Sequence, residues 1–318
     1  MKIDVSVIQL LQVATVLCLS PLVSGIVTKI EARLQGRTGS RILQPYYDLY
    51  KLFKKETLVT QDSGIVFYLG PFVAFTCYLI VPMLIPVLTN FPLPLGYTGD
   101  ILGGGFILAL AGFAVALAAI DSKGPFAQLG SSRAMTFGAL IEPAILFVTF
   151  TVALITSTDL PYAEAATIRS SFTQVIRPSH LLAMSAFFLV VLNDTGRIPV
   201  ETHASTIEFG MIDEARTIEF SGPIFAIAKW GSFMKQMILY VILMNVFTVP
   251  WGLAGTKTVV SVLEAIAVLM LKAIAIGFLF ALIDNSFSKL RLFKVTELTA
   301  TAFLISVLAV LALFVGGG

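Results

Sequence analysis

Charged residues, cysteines and histidines are all scarce in this chain of 318 residues. Only 13% of the residues are charged, against about a quarter in soluble globular domains, while 57% are hydrophobic and the mean hydropathy is +0.92. This composition excludes a soluble domain and predicts an integral membrane protein. The net charge of +2 is too small to indicate nucleic-acid binding.

The two cysteines, Cys18 and Cys77, fall inside apolar segments, and the two histidines, His180 and His203, are far apart in the sequence. No CxxC pair or histidine pair offers the spacing of metal ligands. We therefore expect no metal in this chain, whether as an iron–sulfur cluster or as structural zinc.

The apolar residues are concentrated in stretches of about 20 residues, the length that crosses a bilayer as an α-helix. We therefore predict an all-α integral membrane protein, with one membrane domain over residues 1–318 and eight transmembrane helices. The predicted spans are about 5–28, 66–89, 101–121, 135–157, 179–195, 233–252, 260–284 and 297–315. The first is too long and too poorly flanked for a typical cleaved signal peptide, although its position keeps that alternative open.

Lysine and arginine are distributed unevenly between the two ends of these spans. Sixteen of the 21 lie in odd-numbered connections, four lie at the amino terminus or in even-numbered connections, and Lys272 alone lies in the middle of a span. Because positive charge collects on the cytoplasmic side, we predict that the odd connections are cytoplasmic and that both termini lie outside.

The first connection contains a basic, amphipathic run at residues 36–56 (GRTGSRILQPYYDLYKLFKKE). Such a run is too polar for the lipid-facing core, so it must lie at the membrane surface or against a partner protein. The residues alone leave both alternatives open.

Several ionisable side chains fall inside the predicted spans. At mid-bilayer such a group costs at least about 2.5–3.5 kcal/mol, so it should face the bundle interior and have a partner. Glu142 directly precedes Pro143, which leaves a carbonyl one turn earlier without its donor and favours a polar pocket there. The alternative is that these groups only fix helix packing. Further ionisable residues in or at the ends of the predicted spans include Asp121, Asp194, Glu264, Lys272 and Asp284.

The third cytoplasmic connection is rich in carboxylates interleaved with apolar residues. Crowded carboxylates repel one another, so some would bind protons near neutral pH and the cluster could take up and release protons. An exposed acidic loop is the alternative. The six carboxylates are Asp194, Glu201, Glu208, Asp213, Glu214 and Glu219.

Three separated motifs give this chain a family resemblance. Residues 36–56, the pair Ser132–Arg133 ahead of Glu142, and the sequence DTGRIP at 194–199 resemble the NADH dehydrogenase subunit 1 family, whose members join the two arms of respiratory complex I in the membrane. Only residues 40–42 separate Gly39 from the Leu-Gln-Pro step at 43–45. That compact form is similar to the branch of membrane-bound group 4 nickel–iron hydrogenases, including formate hydrogenlyase complexes.

The resemblance implies a role for particular side chains and no catalytic residue in this chain. The residues implied to dock a peripheral arm are Arg33, Arg37, Gln44, Asp48, Lys51, Arg133 and Arg197. The residues implied in ion translocation or coupling are Glu142, Asp194, Glu201, Glu208, Glu219, Lys272, Asp284 and Asp121. Related chains carry further glutamates near Ala204 and Thr206, which are uncharged here, so the acidic route is expected to differ.

The resemblance also implies partners and a location. We expect a multi-pass anchor and ion-coupling subunit in a prokaryotic plasma membrane, within an energy-converting hydrogenase complex. The expected partners are large and small hydrogenase subunits, a ferredoxin-like subunit and antiporter-like membrane subunits, with the nickel–iron centre and iron–sulfur clusters on those chains. The alternatives are a quinone-binding subunit of a complex I-like oxidoreductase, the same anchor in a sulfur-reducing relative, and a stand-alone transporter.

Overall fold

The computed structural model describes residues 3–59, 62–170, 172–195, 213–248, 250–286 and 292–315. These residues form helices and connections, and within them the only β-type pairing is one bridge between Thr89 and Ala254. The helices are α1 (Val5–Leu34), α2 (Gln44–Phe53), α3 (Ile65–Leu84), α4 (Ile101–Asp121), α5 (Pro125–Thr156), α6 (Pro161–Ser170), α7 (Phe172–Ile176), α8 (Pro178–Asp194), α9 (Asp213–Arg216), α10 (Gly222–Ile242), α11 (Val259–Ser286) and α12 (Leu292–Val315). A 3₁₀ turn (Pro94–Tyr97) precedes α4, and a π-helical segment (Leu243–Thr248) continues α10.

Seven of the described helices are long and apolar enough to cross a membrane, namely α1, α3, α4, α5, α10 with its π segment, α11 and α12. The predicted span 179–195 corresponds to α8, which is apolar but has only 17 residues. The structure is therefore that of an all-helical, multi-pass membrane protein, as the composition predicted.

Several helix ends differ from the ends of the predicted spans. α3 stops at Leu84 and not at 89, because Pro86 disfavours the helical conformation of Ile85, which is extended (ψ 154°). α5 and α10 begin about ten residues before the predicted starts at 135 and 233, and each has a proline in its first turn, where the missing N–H costs nothing. Hydropathy missed these starts because the first turns of both helices contain polar or small residues.

α10 and its π segment form the most enclosed part of the bundle. α10 packs against α1, α3 and α2, while α4 packs on α3, and α12 covers α8 and α5. The side chains of Met234, Tyr240 and Phe247 are fully buried, and the rings of Phe187 and Phe247 stack at 4.8 Å between centroids. The burial of these apolar side chains fixes the rotation of α10, and with it the positions of its polar residues Lys235 and Gln236 and of Asn245 in the π segment.

The broken end of α3 is held by a glutamine from α1. Gln12 is fully buried, its amide nitrogen donates to the carbonyl oxygens of Pro82 and Ile85 (3.0 Å to Ile85), and its side-chain oxygen accepts from the N–H of Leu88 at 3.1 Å. Since a buried backbone group without a partner is costly, Gln12 stabilises the irregular stretch that the two prolines create.

The basic run lies across the carboxyl-terminal half of α1. At Gly25 the backbone of Ile42 approaches so closely that a Cβ would collide with the Ile42 carbonyl oxygen. The hydroxyl of Tyr46 donates to the Cys18 carbonyl, and burial raises the pKa of this phenol. α2 is therefore fixed against the bundle by its inner face, and the opposite face exposes Tyr47, Tyr50 and Phe53.

Candidate functional site

A cavity of about 300 Å³ opens between α4, α5, α8, α9 and α10. On α4 its wall consists mainly of small side chains at Gly105, Ala109, Gly112 and Ala116, which recur at helical spacing on one face. These small residues leave room for the polar side chains that the other helices contribute. Those polar side chains are Glu142, Asn193, Asp194, Arg216 and Lys235.

Asp194 and Lys235 form an ion pair at this cavity. The Lys235 Nζ lies 2.6 Å from the Asp194 Oδ1, and each side chain is 19% exposed. Asp194 is the last residue of α8, where the helix dipole is negative and disfavours a carboxylate. Lys235 offsets that repulsion, so the pair holds two opposite charges in a partly buried position.

Glu142 is exposed to the same cavity, near the middle of α5. The charges that act on it are those of Asp194 and Lys235, and no described residue forms an ion pair with it. Ala139, whose carbonyl faces Pro143 one turn later, also lines the cavity. Two carboxylates that share one lysine can exchange a proton without a large change in local charge, which is the chemistry this cavity offers.

Asp121, the last residue of α4, and Glu219, which precedes α10, lie outside the cavity lining, and each carboxylate contacts the start of another helix. The Asp121 Oδ2 accepts the N–H of Phe67 at 2.9 Å in the first turn of α3. The Glu219 carboxylate lies against Gly124, the residue before α5. Both carboxylates therefore complement the positive ends of helix dipoles, which is the geometry of a cap.

Lys272 and Asn245 form a second polar site deeper in the bundle. The Lys272 Nζ donates to the Asn245 Oδ1 at 2.9 Å, and both side chains are buried. The Asn245 amide nitrogen in turn donates to the carbonyls of Pro86 (2.9 Å) and Val87 (3.3 Å). Asn245 thus connects the membrane-buried lysine of α11 to the broken end of α3.

The remaining predicted site residues occupy three settings. Asp284 is half-buried near the carboxyl end of α11, and Glu264 is exposed near its start. Arg33, Arg37 and Lys51 are exposed around α2, and Gln44 donates to Asp48 at 2.8 Å along it. Arg133 is half-buried on α5. Arg197, Glu201 and Glu208 lie outside the described residues.

The sequence reasoning counted Lys235 only as a loop charge and did not single out Arg216, Asn245 or Glu164. Lys235 was counted with the charges of a connection although it lies inside the predicted span 233–252, and that position in an apolar run was the available signal. Asn245 lies in the same run but is uncharged, and Glu164 lies in a connection, so neither gave such a signal. Among the described residues, no three His, Cys, Asp or Glu side chains gather where they could hold a metal ion.

Comparison with known proteins gives consistent matches over nearly the whole chain. Residues 6–315 match the family model described as NADH dehydrogenase. Hydrogenase-4 component C of Escherichia coli (strain K12) is 30% identical over 300 residues, covering 94% of this chain and 93% of that protein. Formate hydrogenlyase subunit 4 of the same strain is 30% identical over 306 residues, covering 96% and 97%. NADH-ubiquinone oxidoreductase chain 1 of Chondrus crispus is 24% identical over 273 residues, covering 83% and 81%.

The fold is similar to that of a chain in the membrane-bound sulfane sulfur reductase, an archaeal respiratory membrane complex. The TM-score is 0.83 at 21% sequence identity, and the alignment covers 97% of this chain and 99% of that chain.

Proposed function

The chain belongs to the NADH dehydrogenase family, as its motifs predicted, and we propose that it anchors a hydrogenase-type peripheral arm and couples electron transfer there to ion movement. It is a membrane subunit of a complex I-like energy-converting complex. The 30% identity to two hydrogenase-complex components over almost their full lengths supports the hydrogenase type of arm. The nickel–iron centre and the iron–sulfur clusters would then reside on partner chains.

The observation that carries the coupling role is the shared cavity of Glu142, Asp194 and Lys235. Charged side chains inside a membrane bundle are costly and rare, and they commonly mark an ion pathway. A change in the partner arm that moves Asp194 away from Lys235 would let the lysine interact with Glu142 instead. The proton affinity of Asp194 would then rise and that of Glu142 would fall. Such a cycle takes up and releases one proton with no bond chemistry in this chain.

Replacing Glu142 with glutamine is expected to lower ion movement per turnover by at least about tenfold, because a positioned acid–base group contributes about 10²–10⁴-fold to proton transfer. The complex should still assemble, since the side chain is exposed to the cavity and is not part of the core. The measurement is ion uptake by proteoliposomes together with electron transfer in the purified complex. Glu297→Gln, an exposed carboxylate on α12, is the control. Unchanged uptake in Glu142→Gln would refute the coupling role.

The exposed face of α2 supports the docking role. Tyr50 is 62% exposed, and the Lys54 Nζ lies 4.3 Å from the centre of its ring. An aromatic and basic surface that is rigidly held against α1 and α10 is typical of a protein interface. The alternative is that this face contacts lipid. Reversing the charge of the face distinguishes a protein partner from lipid.

The double substitution Lys51→Glu and Lys54→Glu is expected to release the peripheral arm, because it replaces attraction with repulsion at that surface. The chain should remain in the membrane fraction while the arm no longer co-purifies with it. Lys257→Glu, at the opposite end of α1 where Lys257 contacts Ile3, serves as the charge control. An arm that still co-purifies would place the docking surface elsewhere and favour a lipid contact for α2.

We further propose that α8 is an eighth spanning helix and that both termini lie outside. Its 17 residues extend about 25 Å, slightly short of a typical hydrocarbon core, which a locally thinner bilayer accommodates. The uneven distribution of lysine and arginine supports the orientation. In that arrangement the charged cavity opens toward the side where the arm docks.

A further inference from the structure

Glu164, on α6, is a buried acid that the coupling role so far leaves unused. It is 0% exposed, and neither carboxylate oxygen has a hydrogen-bond partner among the described residues. Burial, followed by the charge of Asp159, raises the pKa of Glu164 to about 9, so the group is neutral at physiological pH. A neutral acid in this position can bind or release a proton when its surroundings change.

Asp159 is the charged residue that acts on Glu164, because the helices packed against α6 contribute no titratable side chain there. α6 packs mainly against α5, the π segment and α7. The carboxyl-terminal half of α5 (143–156), the π segment and α7 contain no titratable residue. On α6 itself, Tyr162 pairs with the Gln12 amide at 3.2 Å and Arg169 lines a separate small pocket.

The π segment connects α6 to two other titratable groups. The Nε2 of His180 lies 2.9 Å from the Phe247 carbonyl, while its Nδ1 is buried with no partner among the described residues. Asn245, two residues earlier, accepts from Lys272. π-helical turns inside α-helices are frequent at functional sites, because their hydrogen bonding can shift by one residue.

Polar side chains also connect this segment to the charged cavity along α10. Lys235 and Asn245 are ten residues apart, about 15 Å along the helix. Between them, the amide of Gln236 donates to the hydroxyl of Tyr240 at 2.9 Å, and both side chains are buried. Since Gln236 follows Lys235 directly, the polar groups recur about every turn from the cavity to the π segment.

We propose that Glu164 is a proton-release group on α6, which packs on the π segment at the far end of a series of polar side chains that begins at the Glu142 cavity and includes Lys272. The ligand is a proton, which binds the Glu164 carboxylate from the bundle side and leaves to water beyond α6. This inference rests on the proposed coupling function, and it identifies the group from which the proton leaves the protein.

The test uses the assembled complex in proteoliposomes with Glu164→Gln. Glutamine replaces a neutral acid of the same shape, so the complex is expected to assemble at the wild-type level while ion movement per turnover falls at least tenfold. Infrared difference spectra should contain a protonated-carboxyl band at neutral pH that is absent in Glu164→Gln and titrates near the pKa of about 9. Glu264→Gln, an exposed carboxylate at the same end of the bundle, should leave both measurements unchanged.

The outcomes separate this inference from the one it rests on. If ion movement is lost in Glu142→Gln but stays at the wild-type level in Glu164→Gln, Glu164 is not the proton-release group and the coupling role of the cavity stands. Wild-type movement in both variants would overturn both. Failure of Glu164→Gln to assemble would also overturn proton release at Glu164, because the carboxyl group would then be structural. Glu164→Asp, which keeps a titratable group, is expected to retain more ion movement than Glu164→Gln, and the reverse order would contradict proton release here.

Discussion

Replacing Asn245 with leucine is expected to reduce the yield of assembled complex at least about tenfold. The Asn245 side chain accepts from Lys272 and donates to the carbonyls of Pro86 and Val87. A hydrogen bond lost by a buried polar group costs about 1–3 kcal/mol, and three such bonds end on Asn245. Together these losses exceed about 1.4 kcal/mol, the free energy of a tenfold change in an equilibrium. The measurement is the amount of intact complex recovered by size-exclusion chromatography at equal expression.

A second substitution tests whether the buried charge of Lys272 causes the loss of assembled complex in Asn245→Leu. Lys272→Met removes the buried charge, so the double variant with Asn245→Leu should recover part of the yield while ion movement stays low. Asn285→Leu is the control, because Asn285 is exposed and, within the part of the chain that the structure describes, donates along its own helix to the Ala281 carbonyl at 2.7 Å. A wild-type yield for Asn245→Leu would mean that other groups hold the end of α3 and Lys272.

Lys235→Met is expected to abolish ion movement and to destabilise the complex. The substitution leaves Asp194 at the negative end of α8, only 19% exposed and without its cation. Removing one partner of a buried pair costs about 3–5 kcal/mol, and the opening of the cavity to solvent lowers that cost here. The thermal midpoint of the purified complex and ion uptake by proteoliposomes are the two measurements.

A double-mutant cycle separates the charge pair from simple packing. The double variant Asp194→Asn with Lys235→Met removes both members of the ion pair, so its thermal midpoint should lie above that of Lys235→Met, in which the Asp194 carboxylate has lost its cation. The single variant Asp194→Asn completes the cycle. Ion movement should remain absent, since the proton-exchanging pair is gone. Lys229→Met on the same helix is the control, because Lys229 lies outside the cavity lining with its Nζ 5.8 Å from the Phe225 ring. Additive midpoints would show that Asp194 and Lys235 do not interact energetically.

The sequence predicted the membrane class and the family, and seven of its apolar segments correspond to helices long enough to cross a membrane. It also predicted that Glu142 and Lys272 would face polar surroundings, because an isolated charge in an apolar run has few acceptable environments. The ends of α3, α5 and α10 differ from those of the predicted spans, since helix ends depend on prolines and caps that hydropathy does not weigh. The sequence grouped Asp121 and Glu219 with the coupling residues, and in the structure both carboxylates contact the starts of helices.

The amino-acid sequence by itself determined that this chain is a helical membrane protein of the NADH dehydrogenase family, because span length, composition and short motifs are local properties. Only the tertiary structure decided which charges meet. Asp194 pairs with Lys235 across 41 residues, and Gln12 reaches Leu88 across 76. Nothing local in the sequence sets how each helix is rotated or how deep it lies against its neighbours. Packing of the apolar faces sets both, and the polar groups meet where that packing places them.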